Sequence, residues 1–163
     1  MLVMSVVDWD FYVNTASSLL KPGGWLELQE LSWRLRDTDE NAIDTQYEYL
    51  VAIQETCIEK GLDPFVGEHL TQYMENAGLV DVSYRKFPWL WSDWDEWPQG
   101  HLLAIHQRSE AHIAVQQGML DVLLPGRYDS EQLAGFKREL RQSAVDAQMG
   151  MHYSYGVSFG QKV

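Results

Sequence analysis

The sequence has little of what several classes of protein depend on. Its 163 residues contain one cysteine, Cys57, which excludes an internal disulfide and a cysteine-based zinc site. Only 12 basic residues stand against 24 acidic ones, and the net charge of −12 argues against nucleic acid or an anionic membrane as a main partner. No apolar run approaches the roughly 18 residues of a membrane-spanning helix, and no signal-peptide pattern opens the chain. These features predict a cytoplasmic protein that binds neither nucleic acid nor membrane.

Sequence motifs of several common chemistries are missing as well. There is no G-x-G-x-x-G loop to hold a nucleotide. His101, His106 and His112 lie close together in sequence, but no two have the i, i+4 spacing of a helical metal site. On one continuous helix, His106 and His112 would not share a face. We therefore expect neither a metal nor a cofactor.

Aromatic residues, by contrast, are plentiful. Seven tryptophans and eight tyrosines occur in the chain, and four of the tryptophans fall within nine positions, at Trp89, Trp91, Trp94 and Trp97. Large rings fill hydrophobic cores, and they also line pockets for flat apolar ligands.

A breaker cluster at residues 21–24 organises the first part of the chain. Pro22 lacks a backbone N–H, and Gly23 and Gly24 allow backbone angles that other residues avoid. The amphipathic run 9–20 before it predicts a helix with Asp8 as N-cap, and the alternating run 25–31 after it predicts a strand. This helix–turn–strand pattern is half of a crossover unit and indicates an α/β fold.

The rest of the chain adds helices and two further strands. Periodicity and turn residues predict helices over 41–60, 66–76, 101–124 and 130–147, and strands over 79–91 and 152–163. Residues 32–40 read as a polar connection, and Ser130 is the expected cap of the last helix. The prediction is one domain over 1–163 with about three strands and about five helices.

Four stretches of the chain resemble one family: LLKPGGWLELQEL, MENAGLVDVSYRKFPW, FKRELRQSAVDAQMGMHYSYGVSFGQKV and the opening MLVMSVVDWDFYV. They are similar to class I S-adenosylmethionine-dependent methyltransferases, in particular to fungal secondary-metabolism enzymes like the regulator LaeA. The resemblance covers nearly the whole chain, but only the second half of such an enzyme. In that family a first strand, a Gly-rich turn and an acidic residue hold the cofactor, and none of these has a counterpart here. The resemblance implies a truncated Rossmann-like fold with a mixed sheet, in which the last strand lies antiparallel between the other two.

The resemblance also implies where a substrate would bind. In open α/β sheets ligands lie beyond the carboxyl ends of the strands, and in related enzymes an insertion before the last strand covers them; here that helical lid is 92–147. The expected catalytic residues are Glu30, Arg34, His101 and His106. The expected substrate-binding residues are Gln29, Trp33, Tyr47, Trp94 and Trp97. A salt bridge from Glu30 to Arg34 or Arg36, and a structural role for either histidine, remain open alternatives.

Three interpretations of function follow. The first is a cofactor-independent cyclase or isomerase, forming a lactone or pyrone, dehydrating, or closing a ring pericyclically in a polyketide or polyene of fungal secondary metabolism. The second is a non-catalytic partner that dimerises with a full-length methyltransferase and modulates it. The third is a fragment of an ordinary methyltransferase. The chain alone is not expected to transfer methyl groups.

The truncated sheet predicts a partner surface. Strand 25–31 would be an edge with unpaired backbone groups, and helix 9–20 would lose part of the surface it packs on. Two copies that pair these surfaces would form a homodimer, which is the prediction. Pairing with another methyltransferase-like chain, or a monomer whose long helices cover the edge, are the alternatives.

Overall fold

The computed structural model describes residues 5–163, which form an α/β structure with three strands. The strands are β1 (Trp25–Arg36), β2 (Val80–Leu90) and β3 (His152–Gln161). The helices are α1 (Trp9–Leu19), α2 (Glu48–Glu59), α3 (Val66–Asn76), α4 (His101–Gln107), α5 (Glu110–Leu123) and α6 (Ser130–Val145), with 3-10 turns at Asp44–Gln46 and Pro98–Gly100. The predicted fold class is thus confirmed. Within 5–163 no helix is long and apolar enough to cross a bilayer.

The three strands form one sheet in the order β1-β3-β2. At one end of β3, the amide of Gly23 donates to the carbonyl of Lys162 at 2.8 Å, and the amide of Lys162 donates to Gly24 at 2.9 Å. At its other end, the amide of Trp91 donates to the carbonyl of Met151 at 2.8 Å. β3 therefore runs antiparallel to both neighbours, as expected, and β1 is an edge strand. Since β1 and β2 run the same way but do not pair, every hydrogen-bonded pair in the sheet is antiparallel, and the prediction of a mixed sheet is wrong.

The chain packs into two compact units, and each strand contributes residues to both. Unit 1 contains residues 5–33, 57–88 and 154–163, and unit 2 contains residues 34–56 and 89–153. The core of unit 1 includes Trp9, Val13, Leu28, Val66, Leu70 and Met74, and that of unit 2 includes Leu50, Ile53, Trp91, Ile113, Leu120 and Leu140.

Unit 1 depends on an unusually close contact between α3 and the sheet. Gly67, in the first turn of α3, lies so near β1 that an added Cβ would be 2.5 Å from the carbonyl oxygen of Glu30. Gly156 of β3 is equally close, because its added Cβ would lie 1.9 Å from the carbonyl oxygen of Gly67. The hydroxyl of Tyr84 donates to that same oxygen at 3.0 Å. Two glycines thus allow one helix to sit directly on two strand backbones.

Helix α1 is fixed at both ends. The carboxylate of Asp8 accepts a hydrogen bond from the amide of Phe11 at 2.8 Å, which confirms the predicted N-cap. At the other end, the ammonium of Lys162 donates to the carbonyl of Ser17 at 2.9 Å, a favourable place for a cation at a helix C-terminus. The ring of Trp9 stacks on Tyr73 of α3 with 6.0 Å between ring centroids.

Strand β1 is longer than the sequence indicated. Residues 32–36 continue the strand where a polar connection was predicted. Trp33 and Leu35 are buried, with exposures of 6% and 0%, and the amide of Ile43 donates to the carbonyl of Leu35 at 2.8 Å. Burial of these alternating apolar residues outweighs the polar residues between them.

The predicted helix 41–60 begins later, at Glu48. The carboxylate of Glu139, on α6, accepts hydrogen bonds from the amides of Glu48 at 2.9 Å and Tyr49 at 2.8 Å. A carboxylate at these otherwise unpaired donors stabilises the first turn of α2, and residues 44–46 form a separate 3-10 turn. Tyr47 therefore lies in the connection, before the helix.

The predicted helix 101–124 is two helices, which is why the described chain has six α-helices where about five were expected. Helix α4 ends before Arg108, and the hydroxyl of Ser109 accepts from the amide of His112 at 3.3 Å to start α5. The last helix is capped one residue earlier than predicted. Asp129, not Ser130, is its N-cap, and it forms a capping box with Gln132.

Candidate active site

A cavity of about 320 Å³ lies in unit 2, at the segment that joins β2 to α4. It is lined by Asp93, Trp94, Asp95, Trp97, Pro98 and His101. Three of the residues predicted from sequence, Trp94, Trp97 and His101, therefore lie around one space. The tryptophan-dense segment forms a turn because Pro98 starts a 3-10 helix that leads directly into α4.

The cavity lining includes one hydrogen-bonded aspartate–histidine pair, Asp93 and His101. Nδ1 of His101 lies 2.6 Å from Oδ1 of Asp93. The pKa of Asp93 is below its ordinary value, chiefly because of this hydrogen bond, so the group is a carboxylate at neutral pH. A carboxylate only accepts hydrogen bonds; Nδ1 therefore carries the hydrogen, and Nε2 of neutral His101 keeps a lone pair. That is the arrangement of an oriented general base.

Arg108 fixes the other side of the same carboxylate. Its Nη2 donates to Oδ2 of Asp93 at 2.9 Å. His101 is the first residue of α4 and Arg108 follows the last, so one short helix presents both partners to Asp93. Sequence reasoning missed Asp93 and Arg108. The one available signal was an acidic residue within the tryptophan-dense segment, next to two residues already predicted to bind substrate.

On the Trp94 side of the cavity, the indole ring packs against a buried histidine. The Trp94 ring stacks on His152 with centroids 5.2 Å apart and planes inclined by 19°. His152 is buried, its Nδ1 donates to the carbonyl of Gly150 at 2.8 Å, and its Nε2 lies 3.6 Å from a carboxylate oxygen of Glu40. Gly150 has φ +76°, and an added Cβ would lie 3.2 Å from the Trp94 ring. A glycine is therefore required beneath the Trp94 ring.

The second histidine predicted as catalytic, His106, does not line the cavity but lies beside His112. Their ring centroids are 5.0 Å apart, with planes inclined by 55°. The prediction that these residues do not share a face is thus wrong, because the chain bends between α4 and α5. Burial, and then the charge of His106, lower the pKa of His112. The described residues contain no cluster of three or more potential metal ligands.

Three other predicted site residues, Gln29, Glu30 and Trp33, belong to unit 1. Glu30 is buried, with 4% exposure, on the face of β1 that α3 covers. Gln29 lies on the opposite, exposed face and accepts a hydrogen bond from the hydroxyl of Tyr155 at 2.8 Å. The Trp33 side chain is buried in the core.

The remaining predicted residues, Arg34 and Tyr47, belong to unit 2 and do not line the cavity. Arg34 is half-buried on β1. The hydroxyl of Tyr47 lies 3.9 Å from the sulfur of Met151, and burial, followed by the charge of Glu139, raises its pKa.

Comparisons with known proteins do not assign this chain to a family. No family model matches it, and no curated protein matches it. Among solved structures, it is similar to a protein named as a sarcosine dimethylglycine methyltransferase from Galdieria sulphuraria. The similarity extends over 98% of this chain at 16% identity with a TM-score of 0.40, and this chain spans 49% of the length of that protein. Values this low do not assign the chain to a family.

Proposed function

We propose that this chain is a cofactor-independent enzyme that moves a proton on a small apolar substrate held in the cavity of unit 2. The reaction class is cyclisation, isomerisation or dehydration. The substrate class is a polyketide or polyene intermediate of fungal secondary metabolism, as the sequence resemblance to LaeA-like enzymes suggests. The observation that carries the proposal is the Asp93–His101 pair at 2.6 Å in a cavity walled by Trp94 and Trp97.

The proposed chemistry follows from the hydrogen bond between Asp93 and His101. Nε2 of His101 accepts a proton from a carbon beside a carbonyl group, or from a hydroxyl group of the substrate. Asp93 stabilises the imidazolium that results, and Arg108 keeps Asp93 in place. Return of the proton to another atom completes an isomerisation. Return to a departing hydroxide gives water and a dehydrated product.

The cavity favours a small ligand. Its volume of about 320 Å³ is at the lower end of the range of small-molecule sites. Two indole rings and a proline hold an apolar chain by contact area, which removes conformational freedom before ring closure. Glu30, Arg34 and His106, predicted as catalytic, lie outside this lining, and the proposal assigns the proton to His101.

The direct test uses a defined model substrate, the N-acetylcysteamine thioester of a linear triketide. Its enol oxygen attacks the thioester carbonyl, a pyrone ring forms, and the thiol leaves with a proton. We expect ring closure above the uncatalysed rate, followed by ultraviolet absorbance, and a loss of about 100-fold or more in kcat for His101→Gln. His69→Gln, in unit 1, is the matched control and should keep full activity. A rate unchanged by His101→Gln would overturn the proposal.

A second measurement tests whether the chain acts without the methyl donor. Isothermal calorimetry with S-adenosylmethionine should give no binding heat. Micromolar affinity for this compound would refute cofactor independence, whatever the outcome of the triketide assay.

The alternative, a non-catalytic partner for a full-length methyltransferase, is favoured by one observation. The β1 edge is available for pairing, as its position in the β1-β3-β2 order requires. A methyltransferase whose kcat changes on addition of this chain, and of its His101→Gln variant alike, would support this alternative over catalysis.

A further inference from the structure

The outer side of β1 is defined by two hydrogen bonds. The carbonyl of Gly24, just before the strand, accepts from Lys162 at the end of β3, whereas the amide of Trp33 donates away from β3 to the carbonyl of Pro64 at 2.8 Å. Successive residues of a strand direct their backbone groups to opposite edges. Even-numbered residues of β1 therefore pair with β3, and odd-numbered residues face outward.

Four outward-facing residues form what we call the outer edge: Trp25, Glu27, Gln29 and Leu31. Within residues 5–163, their backbone groups have no hydrogen-bond partner outside the sheet. Residues 25–31 contain no proline or lysine, two residue types that commonly protect such a strand. Seven consecutive residues, 25–31, thus offer a template for another strand.

We propose that a second copy of this chain occupies the outer edge, with the two β1 strands antiparallel about a two-fold axis at Leu28. In this register Trp25 lies opposite the partner's Leu31, and Glu27 lies opposite the partner's Gln29. All four outer-edge residues of each copy are paired, and each facing pair exchanges two backbone hydrogen bonds. The inference is independent of the proposed activity, which belongs to unit 2.

Charge and existing hydrogen bonds select this register. A shift by two residues in one direction places Glu27 opposite the partner's Glu27, and like charges directly opposite each other destabilise a sheet. A shift in the other direction places Trp25 opposite the partner's Trp33, whose amide already donates to Pro64. Only the register centred on Leu28 pairs the whole outer edge without either conflict.

The side chains agree with this pairing. Trp25 is 55% exposed on the outer edge, and in the dimer the partner strand would cover part of this ring. Glu27 and Gln29 already form a hydrogen bond to each other within one chain, so the same carboxylate–amide chemistry is available across the axis. Because each copy carries a net charge of −12, added salt should strengthen the association.

Cysteine cross-linking measures the register. Leu28 and the partner's Leu28 would form a non-hydrogen-bonded pair with Cα atoms about 4.5 Å apart, which suits a disulfide. We expect Leu28→Cys to give a covalent dimer under oxidising glutathione, and Leu26→Cys to give none, since its two copies lie four residues apart. The native Cys57 is fully buried in both variants. Equal cross-linking of the two variants would overturn the register.

Charge variants supply a second test that needs no core substitution. Gln29→Glu creates two like-charged cross-strand pairs and should weaken dimerisation by about 2- to 30-fold in analytical ultracentrifugation. The swap Glu27→Gln with Gln29→Glu restores the original pairs and should restore the wild-type dimer. A wild-type chain that stays monomeric at 100 μM, or a swap as weak as Gln29→Glu alone, would refute the proposal.

Discussion

Each compact unit contains a histidine held by an aspartate, and the two pairs are nearly equal in local geometry. In unit 2, His101 Nδ1 lies 2.6 Å from Asp93, and in unit 1, His69 Nδ1 lies 2.7 Å from Asp63. The histidine side chains are 60% and 50% exposed. The hydrogen-bond distance and the exposure of the histidine do not tell the two pairs apart.

The surroundings of the two aspartates differ. Asp63 also accepts hydrogen bonds from the amide of Phe65 and from the hydroxyl of Tyr73, both at 2.9 Å. It therefore connects the loop before α3 to the helix itself. Burial, and then the bond to Asp63, raise the pKa of Tyr73, so this phenol stays a neutral donor. The role of Asp63 is therefore structural.

Asp93 instead joins His101 and Arg108, at the ends of one short helix, beside an open cavity. One of its partners, His101, lines the cavity, and no helix start depends on the Asp93 carboxylate. The comparison shows that an aspartate–histidine pair becomes a candidate site when there is room for a substrate beside the ring. Four predictions test the comparison, from the largest expected effect to the smallest.

Gly67→Ala should have the largest effect, because it disturbs the Asp63–His69 pair of unit 1. The new Cβ would meet backbone atoms of β1 at 2.5–2.8 Å, so α3, which carries His69 and Tyr73, must shift. We expect a loss of about 3 kcal/mol in the free energy of unfolding, measured by urea denaturation. Gly118→Ala, in α5, is the control. It has open space and should stabilise by about 0.5–1 kcal/mol. Equal effects would contradict the close contact between α3 and β1.

Asp63→Ala should mainly lower the free energy of unfolding, whereas Asp93→Ala should mainly lower activity. Loss of Asp63 leaves the Tyr73 hydroxyl and the Phe65 amide without their acceptor, and should cost about 1–2 kcal/mol of unfolding free energy. Loss of the half-exposed Asp93 should cost under about 1 kcal/mol, but should lower activity in the triketide assay. If Asp93→Ala destabilised the chain more than Asp63→Ala, the two roles would have to be exchanged.

Removal of His101 should change the pKa of Asp93. Because the His101 hydrogen bond is the main cause of the lowered Asp93 pKa, His101→Ala should move this pKa upward in a carboxyl NMR titration. A depressed folded-state pKa stabilises the protein above the ordinary value near 3.8, and this contribution disappears as the pH falls below it. The variant should therefore lose less stability than the wild type on acidification below pH 4. An unchanged Asp93 pKa would exclude the hydrogen bond as its cause.

The His106–His112 pair shows what a histidine does without an aspartate. Burial and the charge of His106 disfavour protonation of His112, so His106→Ala should raise the His112 pKa partway toward 6.5. The size of the rise measures the charge contribution, since burial remains. In the wild type, the lowered pKa of His112 reduces the free energy of unfolding as the pH falls through and below 6.5. Imidazole proton shifts give the value, and His69→Ala is the control that should not change it.

Local sequence signals located most of the secondary structure. Asp8 before an amphipathic run and Gly78 after α3 mark helix ends that the structure shows at those places. The boundaries that sequence missed depend on distant residues. Glu139, on α6, starts α2 some ninety positions earlier in the chain, and no local pattern contains that information.

The candidate site was predicted only in part, for a similar reason. Trp94, Trp97 and His101 were found because aromatic density and histidine chemistry are visible in a sequence. Asp93 and Arg108 became recognisable only when the bend after β2 and the short length of α4 brought them together. The same shortness brought His106 and His112 together against expectation.

The sequence by itself determined the α/β class, the order of the main elements, the strongly acidic character and the lone cysteine, because these depend on composition and on local periodicity. Tertiary structure decided which polar groups meet. Hydrogen bonds such as Asp93 to His101, and contacts such as Gly67 to β1, are selected by packing over many residues, and packing has no short-range signature.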